Sequence, residues 1–231
     1  MGRVMSLPER WRMFFKQYIK EMAALGVDSI GIVLLISFFI GAVICIQIKL
    51  NIASPWMPAF TTGYTTREIM LLEFSSSIMC LILAGKVGSN IASEIGTMRV
   101  TQQIDALEIM GVNSASYLIL PKIVATVFFF PFLAIFSMLI GIGGGYGIAV
   151  LTGIMNPVEY IDGLKCCFYT SEIWYALTKM VFFAFFITTI SAYCGYYAKG
   201  NSLEVGRAST HAVVASSVAI MLFDLILTQI M

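Results

Sequence analysis

Residues 84–111 have the sequence AGKVGSNIASEIGTMRVTQQIDALEIMG and lie between two long apolar segments. The charged residues of this stretch are Lys86, Glu94, Arg99, Asp105 and Glu108. Residues 98–110 are rich in residues with good helix propensity, such as Gln, Ala, Leu, Glu and Met. A charged, helix-forming connection between apolar segments of membrane-spanning length indicates a membrane protein whose connection contacts a partner in water.

The composition supports the membrane class. The chain has 231 residues, of which 59% are hydrophobic and only 12% are charged. A soluble globular domain has about 25% charged residues, so lipid must cover much of this surface. The net charge of +1 provides no broad basic field for nucleic acid.

Five apolar segments are long enough to be membrane spans, since a helix needs about 20 apolar residues to cross the hydrocarbon. We predict spans one to five at residues 30–48, 68–92, 123–154, 173–198 and 208–231. Span three has no charged residue and is too short for two helices and a turn. We therefore expect one long, tilted helix there.

The distribution of lysine and arginine predicts the orientation. Ten of the 14 basic residues lie in the N-terminal segment, in the connections that follow spans two and four, or, for Lys86, near the end of span two that leads into its connection. These parts are predicted to be cytoplasmic, which places the C-terminus outside, in the periplasm of a two-membrane cell. The chain is thus expected to be a multi-pass membrane protein.

Residues 7–25 have apolar residues at helical spacing with basic residues between them. This pattern predicts an amphipathic helix that lies in the membrane interface. A helix packed on another subunit is the alternative. The predicted fold is therefore all-α: an interfacial helix, five transmembrane helices and a cytoplasmic coupling helix at residues 94–111.

The predicted coupling helix carries two kinds of contact residue. Ile104, Leu107 and Met110 recur at i, i+3 and i+6, which gives the helix one apolar face. Four charged side chains are available to a partner protein: Glu94, Arg99, Asp105 and Glu108.

Glycines are concentrated near the outer end of span three. Gly141 with Gly145, and Gly143 with Gly147, form GxxxG patterns, which let helix backbones approach closely. We predict close helix packing here, and a flexible break in the helix is the alternative.

The five cysteines are odd in number and form no CxxC motif. Three lie in apolar spans, where cysteine acts as a small hydrophobic residue. Cys166 and Cys167 are the only pair outside the predicted spans. A disulfide framework and a metal site are the less favoured interpretations.

Sequence motifs of catalysis are absent. The glycine that a P-loop requires five residues before Gly85 is Cys80, so the chain does not bind ATP by that route. The only histidine is His211, and no HExxH or GxSxG motif occurs. We predict a non-catalytic chain with no cofactor of its own.

Besides Glu68 and Lys86 towards the two ends of span two, three charged residues lie inside predicted spans: Glu73, Lys179 and Asp224. At about 1.5 Å per residue they lie roughly 20, 30 and 26 Å from the cytoplasmic ends of their helices. All three then fall in the outer half of the bilayer, where an isolated charge is costly. They predict a polar lining in a cavity between spans two, four and five. A purely structural salt bridge is the alternative, and both can hold.

Two stretches of the chain resemble MlaE-type permeases, the membrane subunits of ABC systems that move lipids between membranes. One is residues 84–112, followed by Pro121, which is similar to the coupling region of the family. The other is GNSLEVGRASTHAVVASSVAIMLFDLILT, residues 200–228, which is similar to the last connection and span. The resemblance implies an interfacial helix, five spans and a location in the bacterial inner membrane.

The resemblance also implies partners. The family works as a permease dimer with two cytoplasmic ABC ATPase subunits, which bind the ATP, and often with a ring of MCE-domain subunits on the outer side. Glu73, Lys179 and Asp224 fall on family positions that carry membrane-embedded charges near a phospholipid pocket. Apolar side chains near these charges are expected to hold the lipid tails: Leu72, Phe74, Ile78, Leu81, Phe182 and Phe183.

The chain departs from the family pattern next to Glu73. Residues 72–76 are Leu-Glu-Phe-Ser-Ser, where the family has Arg-Glu-Leu-Gly-Pro. The resemblance favours a phospholipid transporter subunit that maintains outer-membrane lipid asymmetry. The alternatives are an ion- or proton-coupled carrier or channel that works without an ATPase, and a membrane-bound enzyme of lipid metabolism.

Overall fold

The computed structural model describes residues 11–52, 58 and 60–230. Over these residues the chain is helical and has no strand, which confirms the predicted all-α class. The α-helices are α1 (Trp11–Glu21), α2 (Asp28–Asn51), α3 (Thr61–Glu68), α4 (Met79–Leu83), α5 (Ser89–Val100), α6 (Gln103–Ile109), α7 (Ser114–Thr152), α8 (Pro157–Lys165), α9 (Thr170–Tyr196) and α10 (Ser202–Ile230). Three π-helical stretches join some of them: Met22–Val27, Ile69–Ile78 and Ala84–Gly88.

Five helices in the described part of the chain are long and apolar enough to cross a membrane, as predicted. Spans one to five are Met13–Asn51, Thr61–Val100, Ser114–Thr152, Thr170–Tyr196 and Ser202–Gln229. Span two continues into the charged stretch, and span three is an unbroken helix of 39 residues. The single long helix predicted for span three is therefore confirmed.

The amphipathic helix predicted at residues 7–25 is not a separate element over its described part. Residues 7–10 lie outside the described residues. From Trp11 onward, α1 continues through the π-helical stretch Met22–Val27 into α2. No proline lies within residues 11–51 to end the helix. Gly26 is tolerated inside it because its bare Cα packs against the ring of Phe129.

The described residues form two compact units. One draws on residues within Met1–Ser29, Cys80–Phe130 and Met180–Met231, and the other on Ile30–Met79 and Pro131–Lys179. In the first unit α10 packs along α5, and in the second α3 packs against α8.

Glycine packing organises the second unit. A Cβ atom on Gly41 would collide with the backbone of Gly141, and one on Gly144 would collide with the backbone of Phe38. Ser37 donates a hydrogen bond of 2.9 Å to Ser137 between the same helices, α2 and α7. The glycines of span three thus serve close helix packing, and the alternative of a break in the helix is wrong.

Adjacent glycines on α7 allow a matched test of this packing. Gly144→Leu should lower stability by about 1–3 kcal/mol, because its side chain would meet the backbone of Phe38, which cannot move aside. Gly143→Leu is the control, since open space surrounds that position. The midpoint of thermal unfolding in detergent measures the difference. Equal midpoints for the two variants would contradict the packing role.

Candidate coupling segment and charged site

The coupling segment is two helices, and the single helix predicted at 94–111 is wrong. α5 ends at Val100, and α6 begins at Gln103 after a left-handed residue, Gln102, with φ of 61°. A left-handed conformation costs a non-glycine residue about 1–2 kcal/mol. The turn directs α6 so that Ile104 is fully buried, which offsets this cost.

Three of the predicted partner-facing charges are held within the segment and by span four. Arg99 Nη1 lies 2.6 Å from Asp105 Oδ1 across the break, and its guanidinium lies 5.8 Å from the ring centroid of Tyr196. The Tyr196 hydroxyl donates to Glu108 Oε1 at 2.9 Å, and Ser114 Oγ donates to the same oxygen at 2.9 Å. These contacts fix the α5–α6 segment (residues 89–109) to the end of α9.

Glu94, the fourth predicted charge, belongs to a buried ionic triad. The Nζ of Lys122 lies 2.5 Å from Glu94 Oε2 and 2.7 Å from Glu21 Oε2. The lysine side chain is 1% exposed, while those of Glu21 and Glu94 are 6% and 36% exposed. The triad connects α1, α5 and α7. Sequence reasoning missed Glu21 and Lys122, although Lys122 is the only charged residue of α7.

The predicted apolar face of α6 divides between core and surface. Ile104 is fully buried in this conformation, and its role as a partner contact stays a prediction. Leu107 is half-buried, and Met110 is 67% exposed. Ile109, which the spacing did not select, is 87% exposed.

A groove of about 330 Å³ lies beside this face. Its lining is mostly apolar and comes from α1, α5, α6 and α7. The lining residues are Gln17, Met98, Gln103, Ile104, Ala106, Leu107, Met110, Tyr117 and Leu118. Exposed apolar residues next to a groove, on an otherwise charged segment, form a surface suited to a protein partner.

Two of the three predicted intramembrane charges lie together in the second unit. Lys179 Nζ lies 3.8 Å from Glu73 Oε1, and the ammonium also lies 4.9 Å from the ring centroid of Tyr175. The lysine is buried at 1% exposure, while the Glu73 side chain is 47% exposed. Asp224 is half-buried on α10, in the first unit. The three-charge lining therefore stays a prediction.

Glu73 lies in the π-helical stretch Ile69–Ile78. Stretches of this kind widen the helix locally and occur frequently at functional sites. Ser75 and Ser76 donate to the backbone carbonyl oxygens of Leu71 and Leu72, each at 2.9 Å. The hydroxyl groups of Ser75 and Ser76 thus form hydrogen bonds within their own helix, next to the Glu73 carboxylate.

The predicted lipid-contacting residues differ in exposure. Phe74 and Phe183 are fully buried, so in this conformation they pack against protein. Ile78 and Phe182 are 42% and 48% exposed and can contact a ligand or lipid. Leu72 and Leu81 are intermediate.

Arg67 is a buried cation that the sequence did not single out. Its Nη1 donates to the carbonyl oxygens of Leu164 and Cys166 at 2.9 and 2.7 Å. Its Nη2 donates to the carbonyl oxygen of Cys167 at 3.1 Å and pairs with Glu68 at 2.6 Å. The side chain is only 2% exposed. The guanidinium therefore fixes the start of span two to the connection between α8 and α9.

Comparison with known proteins places this arrangement in a family. The model described as Permease MlaE matches residues 18–230, which include the α5–α6 segment and the Glu73–Lys179 pair. The chain belongs to the MlaE permease family.

Among the described residues, the Cys, His, Asp and Glu side chains form no group of three that could hold a metal ion.

The names of individual relatives agree with this family assignment. A protein of Rickettsia bellii named "Probable ABC transporter permease protein" is 33% identical over 94% of this chain and 84% of its own length. The "Intermembrane phospholipid transport system permease protein MlaE" of Haemophilus influenzae is 32% identical over 95% of this chain and 84% of its own length. The chloroplastic "Protein TRIGALACTOSYLDIACYLGLYCEROL 1" of Arabidopsis thaliana is 28% identical over 99% and 65%.

Proposed function

We propose that the chain is the permease subunit of an ABC-type transporter that moves phospholipids between the inner and outer membranes and so maintains outer-membrane lipid asymmetry. The observation that carries this proposal is the family match over residues 18–230, which includes all or most of each of the five spans and the whole charged connection. The Haemophilus relative named for phospholipid transport supports the substrate class.

The α5–α6 segment is the proposed ATPase contact. Ile109 and Met110 are exposed beside the groove, and the Arg99–Asp105 pair remains one-third to one-half exposed. Internal contacts of Arg99 and Glu108 hold the segment rigid. A movement of the bound ATPase would therefore be transmitted to α9 through Tyr196. ATP is bound and hydrolysed by the partner, two copies of which serve the transporter.

The Glu73–Lys179 pair is the proposed polar part of the lipid site, and a role for Asp224 stays a prediction. A phospholipid has a charged head group and two apolar tails, so its site needs both characters. Lys179 supplies positive charge, and the half-exposed carboxylate of Glu73 limits how strongly a phosphate is held. Ile78 and Phe182 offer exposed apolar surface to the tails.

The remaining assembly follows from size and orientation. Five spans are few for a site that encloses a two-tailed lipid, so a second copy of this chain completes it. The N-terminus and the α5–α6 segment face the cytoplasm, and the C-terminus faces the periplasm, where a ring of MCE-domain subunits carries the lipid onward. The excess of lysine and arginine on one side supports this orientation.

Purification of the chain with the ATPase and MCE-domain proteins encoded beside it tests the function. We expect a complex with two permease and two ATPase subunits that carries phospholipid, identified by mass spectrometry, and that moves lipid between vesicles only with ATP. Transport of ions or protons by the chain alone in vesicles, with no lipid movement, would favour the carrier alternative.

The exposed apolar end of α6 provides a specific prediction. Ile109→Ser should weaken co-purification of the ATPase by about tenfold, because burial of an isoleucine side chain contributes roughly 1.5–3 kcal/mol. Folding should be unaffected, since the side chain is 87% exposed. Val158→Ser is the control, because Val158 is also exposed on a short helix but lies on the proposed periplasmic side.

A charge reversal in the segment is the companion variant. Arg99→Glu should reduce ATPase association as well, by disrupting the α5–α6 corner that presents Ile109. Membrane insertion should stay intact. Retention of the ATPase by both variants at parental levels would refute the proposed contact.

A further inference from the structure

We propose that Cys166 and Cys167 form a modification site, at which reversible oxidation closes a disulfide between neighbouring residues. Oxidation there would alter how Arg67 holds the start of span two. The inference rests on the proposed orientation, which places the connection between α8 and α9 in the oxidising periplasm.

The two thiols lie in contact in an accessible connection. Their Sγ atoms are 3.4 Å apart, and both cysteines are free. Cys167 is exposed and Cys166 is half-buried, between the end of α8 at Lys165 and the start of α9 at Thr170. Closing the bond brings the two sulfur atoms from 3.4 Å to the roughly 2.05 Å of a disulfide, which also requires the peptide between the two residues to adjust.

A disulfide at this position would be labile. Neighbouring residues have Cα atoms about 3.8 Å apart across a trans peptide, whereas most disulfides join Cα atoms that are roughly 4.4–6.8 Å apart. Strained and exposed disulfides are more easily reduced, and they are the ones that serve regulation. Cys167 already has φ of 52°, a left-handed value that is uncommon for a residue with a side chain.

The oxidation is a two-step exchange with a protein dithiol–disulfide oxidase. The Cys167 thiolate attacks the disulfide of the oxidase, forms a mixed disulfide and expels one oxidase thiolate. Cys166 then attacks the Cys167 sulfur and expels the second oxidase thiolate. The oxidase leaves as a dithiol with the electron pair and both protons. The hydrogen bond with Cys167 raises the pKa of the Cys166 thiol, which leaves the exposed Cys167 to begin the exchange.

Arg67 connects this chemistry to span two. Its guanidinium donates to the carbonyl oxygens of both Cys166 and Cys167 while it is almost fully buried. A disulfide between the two residues forces the intervening peptide to reorient, so these carbonyl oxygens move. A buried cation that loses acceptors must find others, and Arg67 lies at the end of α3, six residues before Glu73.

Peptide mapping of the intact chain in native membranes tests the site. Trypsin cleavage after Lys165 and Lys179 releases residues 166–179 with both cysteines. After treatment with diamide and alkylation of free thiols, we expect this peptide to be unalkylated and lighter by two hydrogen atoms. Dithiothreitol should restore two alkylated thiols. The peptide with Cys194, a lone half-buried cysteine, serves as the internal control and should stay alkylated.

Two further measurements make the result decisive. Diamide should lower the unfolding midpoint of the parent chain but not that of Cys166→Ser or Cys167→Ser, each of which keeps one thiol. A peptide that stays fully alkylated, or that forms only intermolecular disulfides, would overturn the proposal. A membrane-impermeant maleimide that reaches Cys167 only from the cytoplasmic side would overturn the orientation, and with it the compartment argument, while leaving lipid transport untouched.

Discussion

Replacing Lys122 with methionine is expected to destabilise the chain by about 3–5 kcal/mol, because it leaves the carboxylate of Glu21 buried without its cation. Methionine approximates the length of the lysine stem, so the loss of charge dominates over the loss of packing. The midpoint of thermal unfolding in detergent and the yield of monodisperse protein measure the effect. Because the triad connects α1, α5 and α7, the α5–α6 segment should also bind the ATPase less well.

The double variant separates charge from packing. Lys122→Met combined with Glu21→Gln should recover a large part of the lost stability, since the carboxylate then left without Lys122 is that of Glu94, whose side chain is 36% exposed. Lys20→Met is the control, because Lys20 is exposed and adjacent to Glu21. If Lys122→Met unfolds at the same temperature as Lys20→Met, the triad contributes nothing to stability.

Reversing the charge at Lys179 should abolish most lipid transport. Lys179→Glu places a buried carboxylate next to Glu73, at a position that is 1% exposed, and like charges at that separation repel. We expect at least a tenfold loss of co-purified phospholipid and of ATP-driven transfer between vesicles. Lys165→Glu is the matched control, because Lys165 is an exposed lysine in the same unit.

A charge swap distinguishes pairing from general damage. Glu73→Lys combined with Lys179→Glu restores opposite charges and should transport better than Lys179→Glu alone. Lys179→Met should be milder than the reversal, because it removes the ammonium without placing a second carboxylate beside Glu73. Equal transport by all these variants would exclude the pair from the lipid site.

Local composition was sufficient to predict the membrane class and the number of spans. A run of about 20 apolar residues matches the thickness of the bilayer. In lipid its backbone must satisfy its own hydrogen bonds, which a helix does. The glycines of span three likewise indicated close packing without any knowledge of the partner helix, which proved to be α2 at Gly41 and Phe38. Properties of this kind depend on neighbours in sequence.

The break at Gln102 was not predictable in the same way. Nothing in residues 100–103 demands a left-handed turn, and the local cost is offset only because α6 then buries Ile104. Periodicity assigned Ile104 to a partner and overlooked Ile109, since the i, i+3, i+6 pattern assumed one continuous helix. The direction of a helix after a turn is decided by what it packs against.

The sequence by itself determined the all-α class, the five spans and the charged connection, because hydrophobic length and charge placement are local properties. Only the tertiary structure decided the partners of the charges. Lys122 meets Glu21 from 101 residues away, Tyr196 meets Glu108 from 88 residues away, and Arg67 meets the carbonyl oxygens of Cys166 and Cys167 from about 100 residues away. A buried charge must be paired, and folding brings it a partner that no local pattern identifies.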